Sequence, residues 1–131
     1  MPDKQKREAH VTKKILIVDD EPNIVLSLEF MMKKEGFEVA VANDGDAALE
    51  KVAAFGPDLM LLDVMMPKKS GYEVCQLLRS DPANAALKII MLTAKGRETE
   101  VAKGIGLGAD AYVTKPFSTK DLVAQIKTLL A

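Results

Sequence analysis

The stretch Lys14–Asp20 reads Lys-Ile-Leu-Ile-Val-Asp-Asp, and it decides the fold. Four consecutive branched aliphatic residues between polar neighbours are typical of a strand that is buried on both faces of a parallel sheet. The acid pair Asp19-Asp20 marks the point where this strand ends. Ligands of such sheets bind beyond the carboxyl ends of the strands, so the pair lies where a binding site is expected.

Three further apolar runs end in polar side chains, and a fourth segment has the alternating pattern of a strand. The runs are Leu59–Leu62 before Asp63, Ile89–Leu92 before Thr93, and Ala111–Thr114 before Lys115-Pro116, and the alternating segment is Phe37–Ala42. The carboxyl ends of parallel strands lie along one edge of a sheet. We therefore expect three acids, a hydroxyl and an amine to meet in one crevice.

Helices are predicted between these strands by apolar residues at helical spacing and by cap signals. The predicted helices run from Pro22 to before Gly36, over Asp46–Phe55, from about Tyr72 to Arg79, from about Glu98 to Leu107, and from Ser118 nearly to Ala131. The third is expected to bury Val74, Leu77 and Leu78, and the last to begin with a Ser118–Asp121 capping box. Five strands alternating with five helices predict an α/β, doubly wound parallel sheet.

The bulk properties predict one soluble domain. The chain has 131 residues, a formal net charge of −1 and one cysteine, Cys75, which we expect in the core. The charge argues against direct binding of nucleic acid, and the single cysteine favours a reducing compartment. No signal peptide and no span of about 20 apolar residues is evident, so a cytoplasmic protein without membrane insertion is expected. We expect a polar arm over residues 1–13 and one domain over residues 14–131.

The three acids define the chemistry expected of the crevice. Like charges at Asp19, Asp20 and Asp63 need a compensating cation, and Mg²⁺ prefers oxygen ligands of this kind. Lys115 supplies a flexible positive charge that suits a phosphate, and Thr93 supplies a hydroxyl donor. A carboxylate can act as a nucleophile and form an acyl phosphate, so phosphoryl transfer is the chemistry that fits this set.

The ordered set of motifs resembles the receiver domain of a two-component response regulator, of the single-domain kind. The matching residues are Asp19-Asp20, Asp63, Thr93-Ala94, Tyr112 and Lys115-Pro116-Phe117. The resemblance covers about Lys14 to Ala131 and implies a flavodoxin-like fold with strand order 2-1-3-4-5. Lys68-Lys69, after Asp63, depart from the family pattern and add positive charge beside the acids.

The resemblance also implies the roles of the acids. Asp63 is expected to accept a phosphoryl group from the phosphohistidine of a sensor histidine kinase or a histidine phosphotransfer protein. Asp20, Asp63 and the backbone carbonyl of Met65 are expected to bind Mg²⁺ directly, with Mn²⁺ as a possible substitute. Asp19 is expected to act on the ion through water.

The other matching residues are expected to form a switch. The resemblance implies that Thr93, Ala94 and Lys115 contact the phosphoryl group, that Tyr112 changes rotamer, and that the Lys115–Pro116 peptide bond is cis. The face formed by the fourth helix, fifth strand and last helix would then change its preference for a downstream protein that the sequence does not name. The resemblance further implies a monomer or a weak, phosphorylation-dependent dimer, and no enzyme activity beyond its own phosphorylation and dephosphorylation.

Three alternatives stay open. A hydrolase acting through an aspartyl phosphate commonly has a second acid two residues after the nucleophile, and here that position is Met65. A binding module that works without phosphorylation, such as a flavin binder, would not need the complete set of acids, hydroxyl and lysine. The chain is also consistent with a receiver fragment of a larger multidomain regulator.

Overall fold

A computed structural model describes residues 12–94 and 106–131 of the chain. In these ranges five strands, all parallel, form one sheet in the order β2-β1-β3-β4-β5. The strands are β1 Lys14–Val18, β2 Glu38–Ala42, β3 Leu59–Asp63, β4 Lys88–Ala94 and β5 Ala111–Lys115. The doubly wound sheet and the flavodoxin-like strand order predicted from the sequence are confirmed.

Helices connect the strands and cover both faces of the sheet. They are α1 Pro22–Lys34, α2 Gly45–Phe55, α3 Gly71–Arg79, a short 3₁₀ helix Pro82–Asn84, and the C-terminal helix Thr119–Leu130. Five α-helices were expected, and the described residues contain four together with the 3₁₀ helix. The helix predicted from about Glu98 to Leu107 lies outside the described residues except at its last two positions, and most of the polar arm also lies outside them.

The strand register brings the expected site residues to one edge of the sheet. The last residue of β1, Val18, pairs with Ala42 on one side and with Leu62 on the other. Asp63 pairs with Leu92, and Ala94 pairs with Lys115. The ends of β1, β3, β4 and β5 are therefore adjacent.

Two apolar cores fix this register. One lies between the sheet and the pair α2 and α3, with Val52 and Val74 among its buried residues, and the other lies under α1 and the C-terminal helix, with Leu28 and Ile126. The interior of β1 and all apolar residues of β3 are fully buried. A shift of one residue would move each buried side chain to the opposite face, so the strand ends are firmly positioned.

One local expectation was wrong. Leu77 is 46% exposed, and α3 instead buries Val74, Cys75 and Leu78, which lie on one stripe of the helix. Cys75 thus occupies the core position that its apolar neighbours suggested. Strand β4 extends one residue past Thr93, to Ala94, so Thr93 is the next-to-last residue of the strand.

Most helix ends follow from local residues. Pro22 is in the first turn of α1, and Gly36, with a φ of 93°, follows its end. Ser118 caps the C-terminal helix by accepting a hydrogen bond from the backbone N–H of Asp121. A reciprocal capping box between Ser70 and Glu73 begins α3, and the sequence analysis did not identify it. Among the described residues, no helix is long and apolar enough to cross a membrane.

Candidate functional site

The three acids predicted at the strand ends lie together. Asp19, Asp20 and Asp63 each offer a carboxylate oxygen, and these oxygens all lie within 4.8 Å of one another. Asp19 is fully buried and Asp63 is 5% exposed, whereas Asp20 faces solvent. Two buried carboxylates this close repel each other, so the arrangement favours a bound cation. Oxygen ligands of this kind suit Mg²⁺ or a similar hard ion.

The turn after β1 holds Asp19 in place. Its backbone N–H donates to the carbonyl of Ala42 at 3.2 Å, which extends the pairing with β2 by one residue. Its carboxylate accepts a hydrogen bond from the backbone N–H of Glu21 at 2.9 Å. Pro22 then starts α1 at a position where a missing N–H costs nothing. The acid pair is therefore fixed between a buried strand and a helix N-terminus.

Asp63 is the last residue of β3 and is held by the loop that follows it. The next residue, Val64, donates to the carbonyl of Leu92 at 3.0 Å, and Met65 N–H donates to the Asp63 carboxylate at 3.3 Å. Gly71 packs against the peptide of Asp63 so closely that a Cβ at position 71 would collide with the Asp63 carbonyl oxygen. A larger residue at position 71 would displace the acid.

Lys115 extends from the end of β5 into the acidic cluster. Its ammonium group lies 2.9 Å from Asp19, 2.8 Å from Glu21 and 3.6 Å from Asp63. The following peptide bond, Lys115–Pro116, is cis. One lysine therefore contacts both buried acids, and it would also lie beside a group attached to Asp63.

The electrostatics of the site affect Asp63 and Lys115 in different ways. Burial, together with the nearby charge of Asp19, raises the pKa of Asp63 from 3.8 to about 6, although Lys115 acts against this rise. Burial alone would lower the pKa of Lys115, but its hydrogen bonds with Glu21 and Asp19 outweigh that effect and raise it. Lys115 thus stays charged at neutral pH, while the negative charge of Asp63 is only partly compensated.

The predicted switch residues lie beside this cluster. Thr93 is 2% exposed, and its hydroxyl has no hydrogen-bond partner within the described ranges 12–94 and 106–131. Ala94 is the last residue of β4 and pairs with Lys115. The Tyr112 hydroxyl lies 3.2 Å from that of Tyr72 in α3. A buried, unpartnered hydroxyl is costly, so Thr93 can gain a hydrogen bond if an acceptor arrives at the strand end.

The two lysines after Asp63 differ in their contacts. Lys69 forms an ion pair of 2.9 Å with Asp46 of α2, and this hydrogen bond raises the pKa of Lys69 and lowers that of Asp46. Lys68 adopts a φ of 71°. The positive charge of Lys69 is therefore paired with α2 and not with the acidic cluster.

Two residues near the site were not predicted from the sequence. Glu21 shares Lys115 with Asp19, and its position directly after the acid pair was the available signal. Tyr72 contacts Tyr112 across 40 residues of sequence, and no local pattern marks that contact.

Comparisons with known proteins agree with the geometry. Residues 15–127 match the family model described as the response regulator receiver domain. The alkaline phosphatase synthesis transcriptional regulatory protein PhoP of Bacillus subtilis is 46% identical over 120 residues, which are 92% of this chain and 49% of PhoP. The chain thus spans about half the length of this curated relative.

Solved structures give the same result. A candidate response regulator from Chloroflexus aurantiacus is 35% identical with a TM-score of 0.87, covering 91% of this chain and 98% of the other. The chemotaxis response regulator CheY4 of Vibrio cholerae is 28% identical with a TM-score of 0.85, covering 91% and 99%. The chain belongs to the response regulator receiver domain family.

Proposed function

We propose that this chain is a phosphorylation-dependent switch in which Asp63 accepts a phosphoryl group from a phosphohistidine. The donor is a sensor histidine kinase or a histidine phosphotransfer protein. The observation that carries the proposal is the Asp63 carboxylate, which is nearly buried, lies 3.6 Å from Lys115 and clusters with two more acids. In the reaction a carboxylate oxygen attacks phosphorus, the N–P bond breaks, and the imidazole leaves with the bonding electron pair.

The acidic cluster is the proposed Mg²⁺ site, and Mn²⁺ would substitute on the same oxygen ligands. Asp20, Asp63 and the backbone carbonyl of Met65 would hold the ion directly, and Asp19 through water. The ion supplies positive charge that offsets the charge of the transferring phosphoryl group. The raised pKa of Asp63 supports this assignment, because burial and the charge of Asp19 disfavour its ionised form and a bound cation would offset both effects.

The metal assignment can be tested without any phosphoryl donor. We expect Mg²⁺ to shift the backbone amide NMR signals of residues 19–21 and 63–65, with weak affinity, since few protein ligands complete its shell. Asp20→Asn should weaken that binding at least tenfold, while Asp81→Asn, in an exposed acid away from the cluster, should leave it unchanged. Unchanged signals in the wild-type protein would refute the metal site.

The remaining site residues are proposed to sense the phosphoryl group. Lys115 pairs with it, the Thr93 hydroxyl donates to it, and Ala94 lies beside it at the end of β4. Tyr112 then changes position, and the face formed by the segment before β5, β5 itself and the C-terminal helix changes its preference for a downstream protein. The Thr93 hydroxyl has no partner among residues 12–94 and 106–131, which supports this role, because a new acceptor would satisfy it.

The chain is proposed to act by binding and not as an enzyme with a diffusible product. Met65 occupies the position two residues after the nucleophile, where a hydrolase of the aspartyl-phosphate type would carry its second acid. Any catalysis is confined to phosphorylation and dephosphorylation of Asp63. We propose that residues 14–131 form the receiver and that residues 1–13 form a polar arm before it. We also propose that the protein is cytoplasmic and is a monomer or a weak phosphorylation-dependent dimer.

The length of PhoP favours the interpretation that this receiver is part of a longer protein. PhoP is named as a transcriptional regulatory protein, and this chain matches only half of it. We therefore propose, as a second possibility, that the chain corresponds to the receiver portion of a multidomain regulator. In that case the receiver itself would not bind nucleic acid, and a separate output domain would be its downstream partner.

The phosphoacceptor is tested by incubation with acetyl phosphate and Mg²⁺, followed by intact-mass measurement. One phosphoryl group that is labile to base should be added to the wild-type protein and none to Asp63→Asn. Asp46→Asn is the matched control, because it removes an exposed carboxylate in the same half of the molecule. Equal labelling of Asp63→Asn and wild type would overturn the proposal.

A further inference from the structure

One lysine, Lys115, is shared by three carboxylates. Its ammonium group lies 2.8 Å from Glu21, 2.9 Å from Asp19 and 3.6 Å from Asp63. The two shorter distances are hydrogen bonds, whereas the distance to Asp63 is longer than a hydrogen bond allows. Of these three carboxylates, the proposed phosphoacceptor is therefore the one farthest from the lysine charge.

Glu21 occupies the N-cap position of α1 without acting as a cap. In the part of the chain that the structure describes, α2, α3 and the C-terminal helix each begin with a cap side chain that accepts a backbone hydrogen bond, from Asp44, Ser70 or Ser118 respectively. The Glu21 side chain makes no such bond, and its carboxylate accepts from Lys115 instead. A residue that departs from the local capping preference in favour of a site lysine indicates a role in the site.

The backbone holds Glu21 beside the acidic cluster but not within it. Its N–H donates to the Asp19 carboxylate at 2.9 Å, and Pro22 follows it in the first turn of α1. The three clustered acids do not include Glu21, whose side chain is 59% exposed. A cation bound by the cluster would repel the ammonium group of Lys115 and would leave the Glu21 carboxylate available to pair with it.

We infer that Glu21 holds the charge of Lys115 away from Asp63 and thereby lowers the affinity of the site for a phosphoryl-like anion. The inference rests on the proposed function, since it concerns the group that Asp63 would carry. An anion at Asp63 gains the charge of Lys115 at the expense of the contact with Glu21. The strength of that contact is therefore subtracted from the strength of anion binding.

The first test removes the charge of Glu21. Glu21→Gln nearly keeps the shape of the side chain. At saturating Mg²⁺, beryllofluoride, a mimic of the phosphoryl group, should bind this variant about threefold more tightly than wild type, which is the size usual for an ion pair with an exposed partner. Binding is followed by NMR of the backbone amides of residues 19–21 and 63–65.

Glu29→Gln is the matched control for this test. Glu29 pairs with Lys33 at 3.1 Å and lies on the same helix, about 12 Å further along its axis. The control removes the same charge from α1 without touching the contact with Lys115. It should leave the affinity for beryllofluoride unchanged.

The binding of Mg²⁺ alone should change in the opposite direction. Glu21→Gln removes negative charge beside the acidic cluster and releases Lys115 towards Asp63, and both effects should weaken the binding of a cation, by about two- to threefold. A variant whose site was merely distorted would bind the cation and the anion more weakly. Opposite changes in the two affinities would therefore show that Glu21 acts through charge.

Glu21→Asp separates the contact with Lys115 from the charge alone. Aspartate keeps the negative charge, is one methylene shorter, and is among the preferred N-cap residues. Its carboxylate should turn to the backbone amides of Asn23 or Ile24, slow their hydrogen exchange, and release Lys115. Beryllofluoride should then bind Glu21→Asp as tightly as Glu21→Gln. An affinity equal to that of wild type would refute the role of the contact.

The outcomes separate the inference from the function on which it rests. If wild type takes up neither beryllofluoride nor a phosphoryl group, the proposed function is wrong and the role of Glu21 falls with it. If wild type responds and Glu21→Gln binds no more tightly, only the role of Glu21 is refuted. An equal gain in Glu29→Gln would refute it as well, because charge anywhere on α1 would then suffice.

Discussion

Asp63→Asn should make the protein more stable at neutral pH when no divalent cation is present. The pKa of Asp63 is raised from 3.8 to about 6 by burial and by the charge of Asp19. The ionised carboxylate is therefore less favourable in the folded protein than in the unfolded chain. Asparagine has nearly the same shape and no charge, so the variant avoids this cost.

The size and the pH range of the effect follow from linkage. A pKa difference of about two pH units, at about 1.36 kcal/mol for each unit, corresponds to about 3 kcal/mol. Below about pH 3 Asp63 is protonated in both states, and the variant has no advantage. As the pH rises from about 4 to about 6, the unfolded chain loses the proton first and wild-type stability falls. Above about pH 6 the full difference is present.

Urea unfolding followed by circular dichroism, in the presence of a chelator, measures this difference. Wild type and Asp63→Asn are compared at about pH 8 and at about pH 3, where the linkage argument predicts a large and a negligible difference. Asp46→Asn is the control, because Asp46 is exposed and its pKa is lowered by Lys69, so its removal should give no gain. Added Mg²⁺ should stabilise wild type and narrow the difference at about pH 8, since it binds only the folded state.

Two results would refute this reasoning. If Asp63→Asn were no more stable than wild type at about pH 8, the carboxylate would not be strained by burial and by Asp19. If the gain were the same at both pH values, it would come from packing or hydrogen bonding and not from ionisation.

Two further substitutions test the contacts that shape the site. Glu21→Gln should lower the pKa of Lys115, because the hydrogen bond with Glu21 is the largest influence that raises this pKa. A side-chain NMR titration would measure the pKa of Lys115. An unchanged pKa in the variant would contradict the prediction. Gly71→Ala should lower the free energy of unfolding by about 1–3 kcal/mol, because the new Cβ collides with the Asp63 peptide. Gly106→Ala, which meets no atom within 4 Å, is its control, and equal stability of the two variants would count against the argument.

The apolar strands and the polar residues at their ends were predictable because both signals are local. The run before Asp19 is apolar throughout, and only a strand buried on both faces accommodates it. The order of the strands followed from the resemblance to receivers. The grouping of Asp19, Asp20 and Asp63 then followed, since parallel strands end along one edge.

The features that the sequence analysis mispredicted or missed are those that depend on tertiary contacts. Spacing alone did not show that Cys75, and not Leu77, would complete the buried stripe of α3. The extension of β4 to Ala94 depends on its pairing with β5, which a single segment does not reveal. The Tyr72–Tyr112 contact joins residues 40 positions apart and has no signature in either segment.

The backbone that carries the site is firmly held, whereas the charge of Asp63 is only partly compensated. Such an arrangement suits a switch. The strands that carry Asp19, Asp63 and Thr93 are buried along their apolar length, so the backbone at the strand ends has little freedom to relax. At those ends the pKa of the Asp63 carboxylate is raised and the Thr93 hydroxyl has no partner in the part of the chain that the structure describes, and both features favour the arrival of a cation and a phosphoryl group. The contacts of Lys115 with Asp19 and Glu21 are made at these strand ends, so a cation or a phosphoryl group at Asp63 would compete with them for the same charges.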